Sequence, residues 1–522
     1  MRRCPCAVHV VPRRLGGGKA LKRRLTAFRV GGLLTVLLTC MVETTFLATV
    51  TGASDIDIMT RIERGTNWIL AQAVEYKEDR HGFMREAEGT DERKLYCEDN
   101  SRVAWTLSNY HLDFTSAKHD RWLKAAVEFV LEGQAGTWDF HRYYDVKRNE
   151  WFLSGSFYYW NAHIMAMLAQ TAFLMRKLPQ MTNEHEFWDR VVQRITLCIN
   201  SWIGASMRPD GSWIFAYPEP RQTRTEDVGM MLNALSCISG YEQKWGDRNR
   251  AEMLSKAAQK TCEWILLQQE MDRSSWGYGG FYDDNSKALQ TTLSNGRTMF
   301  GVLAYWTFIG LTEPRPDYEG LRKRMIAWTE DFALRLMDSH GGPGEGRTQA
   351  LVRIYPKRTL AAAELIRDLA LIWVDLGGSY YWSLAERSYC WLVGKNEMTL
   401  DMQQVNNTGA TRGGFYAGIE NSTDVNKKST TEVTAQCVEA MLHAMSIDIP
   451  EFPSVRYSEI FAISVMAILI LRAGGRKRRQ SPQPARNELQ IHLLDRDLRT
   501  QRNPAGKLKR VHGKGAETGS VS

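Results

Sequence analysis

Two acidic pairs, Glu98-Asp99 and Glu226-Asp227, stand where apolar helical runs begin. One acid at such a place serves the helix, because side-chain oxygens cap free N–H groups and the dipole attracts negative charge. A second adjacent acid exceeds what capping requires. Crowded carboxylates repel, so one of each pair holds its proton to higher pH. A protonated carboxyl and an ionised one, held across a bond, are what glycosidic cleavage needs. Asp227 or Glu226 is then the candidate acid, and Asp99 or Glu98 the candidate base. His163, in Tyr158-Tyr-Trp-Asn-Ala-His163, is a further candidate base or sugar contact. Glu432 begins another apolar run.

Arg102 and Arg297 each follow a capping asparagine by two residues, in Asn100-Ser-Arg102 and Asn295-Gly-Arg297. Either guanidinium could grip a substrate carboxylate bidentately, or pair with the nearby acids. Tyr158, Trp213, Tyr282 and Tyr416 offer flat faces with polar edges, suited to stacking on sugar rings. Asp283-Asp-Asn285 reads as a turn, with a calcium site as the less favoured alternative. No GxSxG, HExxH or Walker loop occurs, and no CxxC pair, so neither a cofactor nor a metal is expected.

These residues need elements to carry them, and the chain is repetitive. A glycine-aromatic turn recurs at Gly82-Phe83, Gly136-Thr-Trp138, Gly211-Ser-Trp213, Gly280-Phe-Tyr282, Gly341-Gly342 and Gly414-Phe-Tyr416, every 54 to 75 residues. The fifth copy has lost its aromatic. Before each turn lies an amphipathic run at helical spacing (61–72, 121–131, 187–203, 262–269, 321–337 and 382–393). Some 14 to 18 residues after each turn a more uniformly apolar helix begins, near Asp99, Ser154, Thr225, Ser294, Arg358 and Thr430. Ser294 and Asn295 read as N-caps. Helices apolar on all sides are covered on all sides. The pattern therefore predicts an all-α fold of six helical hairpins, the apolar helices forming an inner ring over residues 54–447.

That arrangement resembles the six-hairpin (α/α)6 toroid of glycoside hydrolases, polysaccharide lyases and related enzymes. The resemblance is architectural. It implies that the turns and inner-helix N-termini share one end, where a poly- or oligosaccharide substrate would bind. A hydrolase with a carboxylate pair is the favoured expectation. A lyase would use His163 or a tyrosine as base and Arg297 against a uronate. A non-catalytic glycan-binding toroid is the third reading. The isoprenoid-cyclising toroid is similar, but its DxDD motif is absent.

The 522-residue chain carries a net charge of +8, yet its ends supply the positive charge. Residues 1–53 hold nine Lys/Arg against one Glu, and 472–522 hold thirteen against four acids. The acidic body gives no argument for nucleic acid. The basic start, the apolar run 30–41 and the small residues at 51–54 read as a signal peptide or N-terminal anchor. Ile449-Pro-Glu-Phe-Pro453, the apolar run 460–471 and Arg476-Lys-Arg-Arg479 resemble a PEF-type sorting signal of surface proteins, although here a further 43 residues follow. Residues 448–479 are thus expected to attach the chain to a membrane, and 480–522 to be a disordered basic tail. The toroid would lie on the extracytoplasmic side of the cell membrane. Sequons at Asn406 and Asn421 suit that side. The six body cysteines mostly fall in apolar helical runs, where a buried thiol is the usual state.

Overall fold

A computed structural model describes residues 58–446, apart from 86–92, 115–116, 137, 154–156, 217–222, 310–317 and 405–411. Six helices alternate in chain order with six others. The first set is α1 (Ile58–Ala71), α3 (Ala117–Glu132), α5 (His185–Ala205), α7 (Arg248–Gln268), α9 (Tyr318–Ala327) and α11 (Ser379–Leu392). A π-helical stretch, Trp328–Ala333, prolongs α9. The second set is α2 (Cys97–Asp113), α4 (Trp160–Lys177), α6 (Thr225–Trp245), α8 (Thr292–Ile309), α10 (Thr359–Leu376) and α12 (Thr431–Ser446). Each helix of the second set packs on the next of that set, and α12 returns to α2, closing the inner ring.

Composition decides which helix goes where. On α5 the buried positions Trp188, Val191, Val192, Ile195, Cys198, Ile199 and Trp202 form one stripe, as an outer helix requires. On α6 nearly every residue from Thr225 to Glu242 is buried, because neighbours cover it on both flanks. The expected inner-helix starts fall within two residues of those found, except that α4 begins at Trp160. The six cysteines of residues 58–446 are free thiols, and all but Cys390 are fully buried.

The turns hold each hairpin to the next. Bridges pair Gln134 with Phe140, Met207 with Trp213, Gln269 with Phe281, Met337 with Pro343, and Gln403 with Phe415. Two residues before the second partner, Gly211, Gly279, Gly341 and Gly413 take φ between 86° and 101°. There the chain presses on the next outer helix: a Cβ on Gly279 would lie 2.3 Å from the Ala327 carbonyl oxygen, and one on Gly413 2.5 Å from that of Arg64. Only glycine meets both demands. The repeat also corrects one reading. In the second turn the buried plug is Phe140, with no exposed surface, and Trp138 occupies the glycine position instead.

Side chains on the inner helices complete the joint. Asn100 Oδ1 accepts from the Phe83 N–H (2.8 Å) while its Nδ2 donates to the Phe83 carbonyl (3.1 Å). Asn295 does the same for Phe281 (2.7 and 2.8 Å). These asparagines, expected as caps, lie four residues into their helices and satisfy the buried backbone of the plugs. Small antiparallel sheets line the same end: β1 (Ala73–Lys77) with β2 (Arg80–Phe83); β3 (Lys94–Tyr96), β4 (Tyr143–Asp145) and β5 (Glu150–Phe152); β6 (Leu289–Thr291), β7 (Gly346–Thr348) and β8 (Val352–Arg353); and β9 (Lys357–Arg358), β10 (Tyr416–Asn421) and β11 (Asp424–Ser429). Among the described residues no helix is long and apolar enough to cross a membrane. The expected terminal segments 1–53 and 448–522, and the sequon at Asn406, lie outside the described residues.

Candidate active site

The inner-helix N-termini deliver charged side chains in tiers. The second and third residues of α2 are Glu98 and Asp99, those of α6 are Glu226 and Asp227, and the second of α12 is Glu432. One turn deeper come His163 on α4, Arg102 on α2, Arg297 on α8 and Glu364 on α10. Seven of the expected residues meet in one network. His163 Nδ1 lies 3.2 Å from Glu98 Oε1, and its Nε2 lies 3.0 Å from Asp227 Oδ1. Arg297 reaches Glu226 (3.3 Å) and Glu432 (3.1 Å), with Glu364 3.8 Å from its Nε. Arg85 binds Asp99 with two hydrogen bonds, 2.7 and 2.9 Å, and stacks 3.7 Å over the Tyr96 ring.

Within each acidic pair the two members part ways. The glutamates keep some access to solvent (side chains 18% exposed for Glu98, 17% for Glu226), as does Glu432, whereas Asp99 and Asp227 keep at most 2%. Adjacent helical residues project about 100° apart, so one faces the opening and the other the wall. Asp99 holds Arg85, and Asp227 shares His163 with Glu98.

These contacts set the protonation. Burial and the nearby Arg297 charge work against a charged His163, but its bonds to Asp227 and Glu98 outweigh them and push its pKa up to about 9. Burial raises the Glu98 carboxyl, yet the His163 bond and charge hold it below the ordinary carboxylate range. Burial raises Asp227 and Asp99 despite their partners. On the other side of the opening, Asp283 is pushed up to about 7, mainly by burial and in part by the charge of Glu226. Its backbone carbonyl accepts from the Thr225 N–H (2.9 Å), and its Oδ1 from the Thr291 N–H (2.8 Å). Asp283 thus stands between the starts of α6 and α8. Asp284, by contrast, closes a turn onto the Ser286 N–H (2.8 Å).

Beneath this tier the barrel axis stays polar. Arg367 pairs with Glu364 and Asp368 on its own helix and lies 3.7 Å from Glu439, which accepts from Trp105 Nε1 (2.7 Å). All four charged residues are at most 1% exposed. Their signal was in the sequence: Glu364, Arg367 and Asp368 interrupt the otherwise apolar run 360–374 of α10. Arg102 ends up buried 3.8 Å from Glu364, among the inner acids and not at the opening.

The expected aromatic wall is only partly there. Trp213 has no exposed surface and donates from Nε1 to Thr261 Oγ1 (2.9 Å), so it is a plug with no face for a ligand. Tyr282 is 4% exposed and bonds Glu270 Oε2 (2.9 Å) at the outer turn, so it does not look into the opening. Phe281 fills the hairpin and its extended neighbour must point the other way. Tyr158 is half-buried and stacked on Trp160 (4.1 Å). Tyr416 is half-buried on β10. It is Tyr159 whose ring faces His163, with centroids 6.3 Å apart, and Tyr143 stacks on Phe152 in the sheet that precedes α4. One cluster with metal-ligand spacing occurs among the described residues, Asp338, His340 and Glu397, away from this network. There the Lys357 ammonium bonds both Asp338 and Glu397, filling the place between them.

The fold and site together define a six-hairpin α/α toroid with a charged centre. No protein-family profile matches the sequence, and a search of characterised proteins finds no relative. Solved structures share the fold. Cellobiose 2-epimerase from Bacillus thermoamylovorans aligns over 73% of this chain and 99% of its own, with TM-score 0.54 and 9% identity. A D-mannose isomerase aligns over 74% and 97%, with TM-score 0.55 and 10% identity. An α-mannanase of glycoside hydrolase family 76 from Bacteroides thetaiotaomicron aligns over 75% and 96%, with TM-score 0.53 and 11% identity. The fold neighbours are glycan-active six-hairpin enzymes.

Proposed function

We propose that the protein is an exported, membrane-attached enzyme that hydrolyses glycosidic bonds in a poly- or oligosaccharide. The observation that carries this reading is the contrast in protonation across the opening. Glu98 is held ionised by the His163 cation, as a base or nucleophile must be. Asp283, between the starts of α6 and α8, still carries a proton near pH 7, raised by burial and in part by the charge of Glu226. Environments that push carboxyl groups apart in this way divide acid from base. Glu98 is the proposed base, and Glu226 the proposed proton donor by its place at the opening, where its side chain stays 17% exposed. Asp227 positions Glu98 through His163, Arg297 positions Glu226, Asp99 anchors Arg85 nearby, and Glu432 borders the substrate. Tyr158 and Tyr416 remain candidate sugar contacts.

A lyase fits less well, because Arg297 is already engaged by Glu226 and Glu432 and is not available to neutralise a uronate. Attachment would come from the apolar segments 30–41 and 460–471.

The test is to incubate the full chain with neutral and uronic polysaccharides and with short oligosaccharides. New reducing ends without ultraviolet absorbance are expected. New ends with absorbance would mean elimination, and a changed sugar without new ends would mean isomerisation. Folded protein that binds glycan and yields no product would overturn the enzyme reading.

A further inference from the structure

Five turns of the ring share one backbone path, and one of them breaks its residue rule. Gly211, Gly279, Gly341 and Gly413 all occupy the left-handed position; in the second turn Trp138 does, at φ 70°. The path there is enforced by the same clamp. Gln134 Nε2 donates to the Trp138 carbonyl (2.7 Å) and to the Arg194 carbonyl on α5 (3.1 Å). Gln269 Nε2 does so to Gly279 and Arg324 (both 2.9 Å), and Gln403 Nε2 to Gly413 (3.1 Å) and Arg61 (2.9 Å). The next residue, Asp139, is buried and accepts from Trp202 Nε1 (2.5 Å), which fixes the turn to α5.

A bulky residue at positive φ is a backbone outlier, and such strain persists only where the surroundings impose it. The position asks for glycine, yet it carries the largest side chain available, and that side chain fills no core. Phe140 already plugs the hairpin, and Trp138 is 38% exposed. Its ring lies on the outer wall, 6.0 Å from the Arg194 guanidinium, with Arg190 and Gln193 also exposed on the same helix. Gly136 beside it opens onto empty space. An exposed aromatic ring with a guanidinium near it is an arrangement that takes a sugar ring, whose C–H face stacks on the aromatic while a hydroxyl accepts from the arginine.

We propose that Trp138, with Arg194 beside it, forms a second carbohydrate-binding site on the outer wall between α3 and α5, separate from the charged centre, that holds a pyranose ring of a polysaccharide chain. The proposal rests on the reading of the protein as glycan-active, but not on its being catalytic. Such a site would keep a polymer close while the centre works on it.

The test is retention of the full chain on insoluble mannan, cellulose and xylan, with a calcium pectate gel as the acidic arm, for wild type, W138A, W138G and W138Y. Wild type is expected to be retained on at least one of them, with retention falling at least tenfold in W138A and W138G and largely restored in W138Y. Both truncations should fold, and W138G should melt above W138A because glycine suits the turn. Neutral supports alone would mark a stacking site, and preference for pectate one dominated by the arginine. Retention equal to wild type in W138A, or no retention of wild type on any support, overturns the proposal. Turnover is measured separately, so a protein that binds through Trp138 but cleaves nothing would refute the hydrolase and leave this site standing.

Discussion

His163 is held between two carboxylates from different helices, with Nε2 3.0 Å from Asp227 Oδ1 and Nδ1 3.2 Å from Glu98 Oε1. The imidazole therefore ties α4 to α6 and to α2 through its charged form. Were it neutral, one ring nitrogen would carry no proton and would face a carboxylate lone pair. Both the stability of the ring and the ionisation of Glu98 depend on that one proton.

A pH dependence follows, with a definite sign. The folded pKa of His163, about 9, lies above the unfolded value near 6.5. The folded state thus binds the proton more tightly, so its stabilisation is complete below about pH 6.5 and is lost as pH rises through about 9. The shift corresponds to on the order of 3 kcal/mol. Urea unfolding at pH 6.5, 7.5 and 9 should show falling stability, and in H163Q that part of the slope should disappear. An equal slope in H163Q would disprove the assignment.

Replacing the exposed and buried members of each acidic pair should have different consequences. E98Q and E226Q should melt closer to wild type than the aspartate variants, because their side chains keep some solvent access although they pair with His163 and Arg297, while turnover falls by about 10²–10⁴-fold, the usual contribution of an acid or base group. D227N and D99N should lose more stability, because each removes a fully buried carboxylate that pairs with a cation (His163 and Arg85). The paired measurements are initial rates and thermal melts of the same four preparations. Similar melts for all four would show that the aspartates do not brace the site.

The sequence made the ring legible because burial patterns add up over a whole helix. Seven apolar positions on α5 and seventeen covered ones on α6 outweigh any single exception. The acids at the starts of α2, α6 and α12 were legible for the same positional reason. Which member of each pair faces the opening was not, since that depends on the rotation of the helix by a single residue. Trp138 and Phe140 are both aromatic two residues apart, so only the bridge to Gln134 reveals which is the plug. Asn100 and Asn295 looked like caps because capping is local, whereas their bonds run back 17 and 14 residues to the plugs. Tyr282 has a ring suited to sugar, but the alternation of an extended segment turns it outward to Glu270.

Arg297 should be a keystone of the buried charge. It lies among Glu226, Glu432 and Glu364, whose charges favour its own protonated form against the effect of burial. Breaking such a centre from one side leaves uncompensated carboxylates and costs about 3–5 kcal/mol. R297M should therefore lower the free energy of unfolding measured in urea by an amount of that order. R297M/E364Q should recover part of the loss, since Glu364 is the most buried of the three acids and members of one network do not add independently. No recovery in the double variant would mean that Arg102 and Arg367 alone compensate Glu364.

Gly279 tests the architecture independently of the chemistry. Its φ of 86° lies where L residues are strained, and its missing Cβ leaves room for the Ala327 carbonyl oxygen at 2.3 Å, where α9 passes into its π-helical stretch. An alanine must either push the helix away or turn the backbone out of the left-handed region. Turning would break the Gln269 bond to the Gly279 carbonyl and move the Phe281 plug with it. G279A should cost more than the about 1 kcal/mol that positive φ alone imposes, because strain and a lost approach act together. Gly136, which has nothing within 4 Å of its added Cβ and no positive φ, is the control, and G136A should unfold at the wild-type midpoint within error. Equal midpoints for the two alanine variants would show that the close contact between the turn and the next outer helix does not hold the ring together.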